Sequence, residues 1–355
     1  MRTVALGIEQ LRQPIPGGIG TYVRGLVSGL EQTHDPELAF LRFASRGPQR
    51  DPLAAGTFPL STTSFHHRVQ VALWSRGIGG APRGSDVVHL CSLAGPMKTT
   101  LPMTAMVHDV SWRKFPELTT ARGRRWHEHQ LATLLATTAT LIVPSQRVRS
   151  DLLAGGVGAC RICVIGEGAD HLPEPNGQAA RDLLTHHGVD GPFVLCVATL
   201  EPRKNLDRLV AAHQQASRRG LAVPLVIVGP RGWGMGLSEH NAVVIEGHVT
   251  PEVLAGLYAE ARALAYVPLE EGFGLPPLEA MWQGTPVLSS TATPSTEQAN
   301  GVIRVDPLSL DDIADGLLGI VEAAEDLADA ARNFARQHTW RGVAEQHEAL
   351  WRTLQ

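Results

Sequence analysis

Residues 190–216 read DGPFVLCVATLEPRKNLDRLVAAHQQA, and this stretch decides the fold class. Its first half is a continuous apolar run of strand length, which is typical of a strand buried on both faces. Its second half places Leu206, Val210 and His213 at the i, i+4, i+7 spacing of one helix face. A buried strand that passes through a short polar loop into an amphipathic helix is the repeating unit of a parallel α/β sheet.

The same alternation recurs through most of the 355 residues. Further buried strands are predicted at residues 4–8, 38–43, 87–90, 105–108, 139–143, 225–229, 243–246, 263–268, 287–290 and 302–305. A chain of this length is long enough for two domains. We therefore predict an α/β protein made of two Rossmann-like, doubly wound domains, with a cleft between them. In such sheets, ligands bind beyond the carboxyl ends of the strands, so the chemistry should lie on the loops that follow strands.

The domain boundary is predicted from a Pro- and Gly-rich stretch, residues 172–192, because a strongly apolar strand begins directly after it. This places a first domain at 1–172 and a second at 190–337. Residues 338–355 form a separate amphipathic helix, with Trp340 and Trp351 among its packing residues.

Composition excludes several classes of protein. Hydrophobic residues make up 43% of the chain and charged residues 19%, which are values of a globular protein. No apolar run approaches the ~18–20 residues of a membrane span, and no signal-peptide core is present, so we expect a cytoplasmic protein. The net charge of −4 divides unevenly, with +6 in residues 1–170 and −10 in residues 171–355. Two halves of opposite charge indicate two domains with different partners.

Two loops after predicted strands suit an anionic ligand. Residues 16–21, PGGIGT, precede a helix, so the Gly18 backbone can approach an anion. Residues 201–205, EPRKN, place Arg203 and Lys204 just before a helix N-terminus, where the dipole disfavours cations. That placement makes sense if a negatively charged ligand lies between the cations and the helix. The alternatives are a flexible connection in the first loop and solvated side chains in the second.

Two further segments carry side chains suited to a hydroxylated ligand. Residues 270–281 read EEGFGLPPLEAM and place Glu271 on a tight glycine loop. Glu279 follows in the first turn of a helix, where a carboxylate is also an ordinary structural choice. His108 and Asp109 end a strand and can hydrogen-bond a ligand, although a single histidine is often structural.

The Glu271/Glu279 pair forms an E-x7-E pattern inside Glu-Gly-Phe-Gly-Leu-Pro-Pro-Leu-Glu-Ala-Met. Together with the Glu-Pro-Arg-Lys-Asn, Gly-Gly-Ile-Gly and Val-His-Asp segments, it resembles the retaining glycosyltransferases of family 4, which have the GT-B fold. The resemblance extends over nearly the whole chain and includes bacterial mannosyltransferases of polysaccharide biosynthesis. It implies an acceptor-binding first domain, a nucleotide-sugar-binding second domain, and a last helix that packs back towards the first.

The resemblance also implies roles for individual residues. Arg203 and Lys204 would hold the donor diphosphate, Glu271 the hydroxyls of the donor sugar, and His108 the sugar from the first domain. These four are the predicted catalytic residues. The remaining donor contacts that it implies are Gly18, His248, Val249, Phe273, Gly274, Leu275 and Glu279.

No Asp-x-Asp sequence occurs, so we predict a metal-independent enzyme without a cofactor, in which cations and backbone amides stabilise the leaving diphosphate. The expected donor is a nucleotide hexose, with GDP-mannose first, and the expected acceptor is a glycan, a lipid-linked sugar or a small molecule. Two alternatives stay open. One is a GT-B sugar-nucleotide epimerase or hydrolase, and the other is a non-catalytic sugar-nucleotide-binding protein.

The basic half of the chain predicts an anionic acceptor, or an anionic surface that carries it. Residues 112–126 place basic side chains beside aromatic ones, which suits peripheral contact with the inner face of the cell membrane. The same segment could hold an anionic acceptor or be an ordinary solvated face. Nothing in the sequence indicates a nucleic-acid partner.

Overall fold

The computed structural model describes residues 1–232 and 242–354, which fall into two compact units. The first unit combines Met1–Gly168 with the segment from Thr339 onward, and the second is Ala169–His338. No helix in the described ranges is long and apolar enough to cross a membrane.

The first unit contains a parallel sheet. Its strands are β1 (Arg2–Gly7), β2 (Leu38–Arg46), β3 (Leu60–His66), β4 (Val87–Leu90), β5 (Met103–Met106), β6 (Thr140–Val143) and β7 (Ile162–Val164). The spatial order is β3-β2-β1-β4-β5-β6-β7, so the strand order reverses between β1 and β4. The helices between the strands are α1 (Gly17–Thr33), α2 (His67–Trp74), α3 (Ser111–Lys114), α4 (Ala121–Leu135) and α5 (Gln146–Ala154).

The second unit repeats this architecture. Its helices are α6 (Gly177–His186), α7 (Leu206–Arg218), α8 (Pro251–Glu260), α9 (Leu275–Gln283), α10 (Leu310–Glu322) and α11 (Ala324–Ala335). Its strands are β8 (Val194–Val197), β9 (Leu225–Gly229), β10 (Val243–Glu246), β11 (Ala263–Tyr266), β12 (Val287–Ser290) and β13 (Val302–Val305). Their order is β10-β9-β8-β11-β12-β13, the order of the doubly wound nucleotide-binding fold.

Strand β8 shows why the central strands are apolar without interruption. Leu195 packs into the core on one face of the sheet, while Val194 and Cys196 pack into the core on the other. All three side chains are buried. Because both faces are covered by helices, neither face of the strand tolerates polar residues.

The last helix, α12 (Trp340–Thr353), belongs to the first unit and packs against α1. Two glycines of α1 allow the close approach. A Cβ at Gly25 would lie 2.1 Å from the Trp340 ring, and one at Gly29 would lie 2.1 Å from the Trp340 carbonyl oxygen. The buried face of α12 includes Trp340, Val343 and Trp351, and also His347.

The chain passes from one unit into the other at two points, between residues 168 and 169 and between residues 338 and 339. In each unit, the residues at these two points lie close together. In the second unit, the N–H of Ala169 donates to the carbonyl of His338 at 2.9 Å. In the first unit, a Cβ on Gly168 would lie 2.5 Å from the backbone nitrogen of Trp340. If the chain were cut at both points, each unit would therefore be left with two neighbouring ends.

Two local predictions differ from the structure. The strand expected at 105–108 ends at Met106, so His108 lies on the loop beyond it. The glycines expected in a loop before the first helix lie inside the first turn of α1, which begins at Gly17. The stretch predicted as a boundary, residues 172–192, includes α6, which packs against α8 of the second unit.

Candidate functional site

Glu271 is the centre of a charged cluster in the second unit. Its Oε1 accepts hydrogen bonds from Lys204 Nζ at 2.5 Å, from Arg203 Nη1 at 3.0 Å and from the Tyr266 hydroxyl at 2.9 Å. Lys204 also donates to the Tyr266 hydroxyl at 3.0 Å. Two cations and a buried phenol therefore converge on one carboxylate oxygen.

This environment keeps Glu271 ionised. Burial by itself would raise the pKa of the carboxyl, but the charges of Arg203 and Lys204 and the hydrogen bonds from Lys204 and Tyr266 outweigh it, so the pKa is lowered. Burial, and next the charge of Glu271, raise the pKa of Tyr266 well above its usual value, so the phenol keeps its proton. Glu271 can therefore accept a hydrogen bond from a ligand hydroxyl but has no proton to donate.

Arg203 is held between two carboxylates. Its Nη2 donates to Glu201 at 2.8 Å, while its Nη1 donates to the Glu270 carbonyl at 2.7 Å as well as to Glu271. Glu201 and Glu271 are both buried. With Lys204, these side chains form a cluster of two cations and two carboxylates, so the cations predicted to await an anionic ligand already have partners within the chain.

Asn205 fixes the loop that carries both cations. It precedes α7 in the left-handed conformation, at φ = 60°. Its side chain does not cap the helix, contrary to the usual preference at this position. Instead, its amide donates to the carbonyls of Val267 at 3.0 Å and Pro307 at 2.8 Å. These bonds tie the Arg203–Lys204 turn to the segments that follow β11 and β13.

The glycine turn at residues 272–274 leads from β11 into α9. Gly274 has φ = 97°, and a Cβ there would lie 2.6 Å from the Thr293 side chain, so only glycine fits without strain. Ser295 donates from its N–H to the Phe273 carbonyl at 2.9 Å and from its hydroxyl to the Gly274 carbonyl at 2.6 Å. The carbonyls of the turn are thereby occupied.

Two backbone N–H groups of this turn, those of Phe273 and Gly274, are available. They donate to no protein acceptor within the described ranges, and Leu275, the first residue of α9, has no intrahelical acceptor. The next two residues are prolines without N–H groups. The donors that this helix start can offer an anion are therefore those of Phe273, Gly274 and Leu275, the backbone predicted to contact the donor.

Glu279, the second glutamate of the E-x7-E pattern, lies on α9. Its Oε2 accepts a hydrogen bond from the Tyr258 hydroxyl at 2.6 Å, and its Oε1 lies 3.0 Å from His171 Nε2. Tyr258 is fully buried, and burial followed by the charge of Glu279 raises the pKa of its phenol. Glu279 is thus a buried carboxylate with two side-chain partners, which goes beyond an ordinary helix-start residue.

The second-unit candidates come together at one edge of the sheet. Arg203 and Lys204 follow β8 and Glu271 follows β11, the two strands between which the order reverses. In doubly wound sheets this switch point is where ligands bind. His248 and Val249 follow the carboxyl end of β10, two strands away from β8; His248 is exposed and Val249 packs against the core.

In the first unit, His108 lies on the loop after β5. Its Nε2 donates to the Cys91 carbonyl at 2.9 Å, its Nδ1 is 3.5 Å from Glu167, and its ring packs edge-on against Tyr22. His108 also lines a cavity of about 940 Å³ whose lining residues all belong to this unit. Gly18 lies in the first turn of α1, and its predicted approach to the diphosphate stays a prediction.

The basic and aromatic segment 112–126 is partly committed to contacts inside the first unit. Arg113 pairs with Glu128 at 2.6 Å, and Lys114 pairs with Asp151 at 2.8 Å. Trp112 is buried. The remaining basic residues of this segment are Arg122, Arg124 and Arg125.

Two family profiles match the sequence. The one described as Glycosyltransferase Family 4 matches residues 16–171, and the one described as Glycosyl transferases group 1 matches residues 191–323. The chain belongs to glycosyltransferase family 4. The two matches fall on the two structural units, and each contains the candidate residues of its unit.

Curated relatives of this family 4 chain include bacterial mannosyltransferases. It is 29% identical over 257 residues to O-antigen chain mannosyltransferase B of Escherichia coli, an alignment that covers 69% of this chain and 65% of that protein. It is 26% identical to the GDP-mannose-dependent alpha-(1-6)-phosphatidylinositol monomannoside mannosyltransferase of Mycolicibacterium smegmatis, over 96% of this chain and 93% of that protein.

Solved structures confirm the predicted GT-B fold class. Sucrose-phosphate synthase from Thermosynechococcus elongatus superposes with a TM-score of 0.75 at 20% identity, over 99% of this chain and 98% of that one. HepE from Anabaena, solved with UDP-glucose, gives a TM-score of 0.72 at 18% identity over 99% of both chains.

The residues that surround the two glutamates are not among those predicted from the sequence. Tyr266 lies within the strand predicted at 263–268 and is the last residue of β11, and a phenol near the carboxyl end of a buried strand is a signal that could have drawn attention to it. Tyr258 and His171 carry no such signal, because their partner Glu279 is distant in sequence.

Within residues 1–232 and 242–354, no group of three or more His, Cys, Asp or Glu side chains is placed to hold a metal ion.

Proposed function

We propose that this family 4 chain transfers a hexose from a nucleotide sugar to a glycan, lipid-linked or small-molecule acceptor, with retention of anomeric configuration and without a metal ion. The observation that carries the proposal is the convergence of Arg203 and Lys204 on Glu271 at the switch point of the second sheet. It places cations that suit a diphosphate beside an ionised carboxylate that suits sugar hydroxyls.

GDP-mannose is the proposed donor, and polysaccharide assembly is the proposed setting. The names of the E. coli and M. smegmatis relatives describe mannosyltransferases, and the second names GDP-mannose as its donor. The Anabaena structure holds UDP-glucose, which makes UDP-glucose the competing donor. The nucleobase of the donor would lie near His248 and Val249, and Glu279 would accept hydrogen bonds from the ribose hydroxyls of the donor.

The reaction needs negative charge to be stabilised on the departing diphosphate. In the proposed front-face mechanism, the acceptor oxygen bonds to the anomeric carbon as the bond from that carbon to the phosphate oxygen breaks. The acceptor proton passes to the departing phosphate. Lys204 uses two of its three N–H donors on protein oxygens within the described ranges, which leaves one for the phosphate. The N–H groups of Phe273, Gly274 and Leu275 would supply further donors.

A thermal-shift screen against GDP, UDP, ADP and dTDP sugars tests the donor site. A ligand at 100 times its dissociation constant adds ~2.7 kcal/mol to the free energy of unfolding. GDP-mannose should give the largest shift, and the absence of any shift would overturn the donor site. Donor consumption without an acceptor would favour the epimerase or hydrolase alternative, and binding without turnover would favour the non-catalytic one.

Two further measurements test the chemistry. NMR of the product should show the anomeric configuration of the donor, and an inverted product would exclude the retaining mechanism. Activity should survive EDTA, and its loss with recovery on adding a divalent cation would overturn metal independence.

We also propose a location at the cytoplasmic face of the cell membrane, with the exposed Arg124 and Arg125 as contacts to anionic lipid. Binding to anionic liposomes should weaken with salt. Equal binding to neutral and anionic liposomes would contradict this contact.

A further inference from the structure

The first unit contains a cavity large enough for an acceptor sugar. Its volume of about 940 Å³ falls at the upper end of the range for small-molecule sites. Residues from α2, α4 and the loops after β4 and β5 line it, and His108 is among them.

One wall of the cavity is an ordered aromatic surface. The His127 ring stacks on Trp112, with centroids 4.6 Å apart and planes 22° apart, and it meets Trp126 edge-on at 4.8 Å. His127 Nδ1 donates to the Gly123 carbonyl at 2.9 Å, and Trp112 Nε1 donates to Glu128 at 2.7 Å. These bonds fix the rings, and a fixed aromatic face suits the apolar face of a sugar ring without an ordering cost.

The cavity also carries cations that the chain itself does not neutralise. Arg68 on α2 and Arg122 on α4 line it, and neither makes an ion pair or hydrogen bond within the described residues. Nearby Arg113 is paired with Glu128. The carboxylate in the described lining, that of Asp109, accepts hydrogen bonds from the N–H and hydroxyl of Ser111. The lining is therefore electropositive.

We propose that the acceptor is a sugar bearing an oxyanion group, a phosphate or a carboxylate, which binds between Arg68 and Arg122 while the sugar ring lies against Trp126. A guanidinium matches the geometry of both oxyanions through paired N–H donors. This inference rests on the proposed function, because an acceptor presupposes a transferase. It names the chemical group by which that acceptor is recognised.

Calorimetric titration of the full chain tests the inference with methyl α-mannoside, mannose 6-phosphate and glucuronate. At least one of the two charged sugars should bind about tenfold or more tightly than the neutral one. Arg68→Gln and Arg122→Gln should each weaken the charged sugar by about tenfold, the usual value of a charge-assisted hydrogen bond, and leave the neutral one unchanged. Whether phosphate or carboxylate binds more tightly identifies the group.

Arg124→Gln is the matched control, since Arg124 is an exposed arginine of the same helix that does not line the cavity. It should leave all three affinities unchanged. Trp126→Leu should weaken all three sugars to a similar degree. Equal binding of neutral and charged sugars, or equal affinities in the Arg68, Arg122 and Arg124 variants, would overturn the inference.

The two proposals can fail separately. If nucleotide sugars shift the melting temperature but the charged sugars do not bind, the acceptor inference is wrong and the donor site stands. If the charged sugars bind as described but no nucleotide sugar does, the proposed transfer is wrong and the cavity stands as an anionic-sugar site.

Discussion

Lys204 and Glu271 are 67 residues apart in the chain, yet Lys204 Nζ lies 2.5 Å from Glu271 Oε1. The contact joins the loop after β8 to the loop after β11, across the point where the strand order reverses. Each side chain is largely shielded from solvent. The pair therefore holds the two proposed donor-binding loops together before any donor binds.

Removing either partner should stop transfer. Lys204→Ala and Glu271→Ala should each lower kcat/KM by at least about 100-fold, because the first removes the cation proposed to stabilise the leaving group and the second removes the proposed contact to the sugar. Rates should be measured well below the melting temperature of each variant. Full activity in either would contradict the assigned role.

The same pair predicts a coupling in stability. Lys204→Met and Glu271→Gln should each cost about 2–4 kcal/mol, since each deprives a shielded charge of one of its oppositely charged partners. The double variant should cost less than the sum by about 1–3 kcal/mol. Urea denaturation measures all four proteins. The exposed pair Arg341–Glu345 is the control, and its coupling should stay below about 0.5 kcal/mol.

Tyr258 should affect donor binding rather than chemistry. Tyr258→Phe removes the hydroxyl that donates to Glu279, so KM for the nucleotide sugar should rise about 5- to 10-fold with kcat within about twofold. Tyr22→Phe also removes a buried hydroxyl, but from the first unit, and should leave that KM unchanged. A fall in kcat for Tyr258→Phe without a change in KM would exclude the positioning role.

The glycines of α1 predict a steric effect on the first unit. Gly29→Ala places a methyl group against the backbone of Trp340, which cannot rotate away, so we expect a loss of at least about 2 kcal/mol. Gly319→Ala in α10 is the control, because its Cβ would meet only Ile303 Cδ1 at 3.4 Å. Helix propensity there should stabilise by about 0.5–1 kcal/mol. Equal effects in thermal unfolding would show that the close approach of α12 is not required.

His347 predicts acid sensitivity in the first unit. Its Nε2 contacts the Tyr22 hydroxyl at 3.0 Å and its ring meets the His89 ring at 5.3 Å, while burial lowers its pKa to about 4. The unfolded chain therefore binds a proton between about pH 6.5 and about pH 4 that the folded chain does not. Stability should fall as the pH decreases through this window, by about 3 kcal/mol from this residue.

His347→Phe should flatten that dependence in urea denaturation between about pH 7 and about pH 5. Part of the slope should persist, because burial also lowers the pKa of His89. Replacing the exposed His186 with Asn should leave the slope unchanged. An unchanged slope in His347→Phe would show that folding does not lower the pKa of His347.

The architecture could be predicted because buried parallel strands have a strong signal. Val194 and Leu195 face opposite cores, so the whole strand is apolar and visible in the sequence. Strand β3 was missed because it lies at the edge of its sheet and reads LSTTSFH, without an apolar face. Such an edge strand forms because β2 offers it hydrogen bonds, which a sequence does not display.

The residues of the candidate site could be predicted from the sequence, but the hydrogen bonds and ion pairs between them could not. Arg203, Lys204, Glu271 and Glu279 were found because cations and carboxylates beside glycine turns are recognisable locally. Their pairing with one another is not recognisable locally, and from the sequence alone Arg203 and Lys204 are expected to bind an anionic ligand. Glu201 and Glu271 fill that place in the structure. Pairing over such separations is decided by strand order, which becomes known only with the fold.

The meeting of chain ends at Ala169 and His338 has a consequence for how the protein can be rearranged. In the sequence, the second unit is inserted into the first: residues 169–338 form a cassette whose first and last residues are neighbours. This cassette should fold by itself, and the first unit should fold without it when a short linker joins Gly168 to Thr339. Cooperative unfolding of the isolated cassette would establish this, and a disordered product would refute it. If the second unit binds the donor as proposed, exchanging the cassette between relatives should change the donor while leaving the proposed acceptor cavity in place.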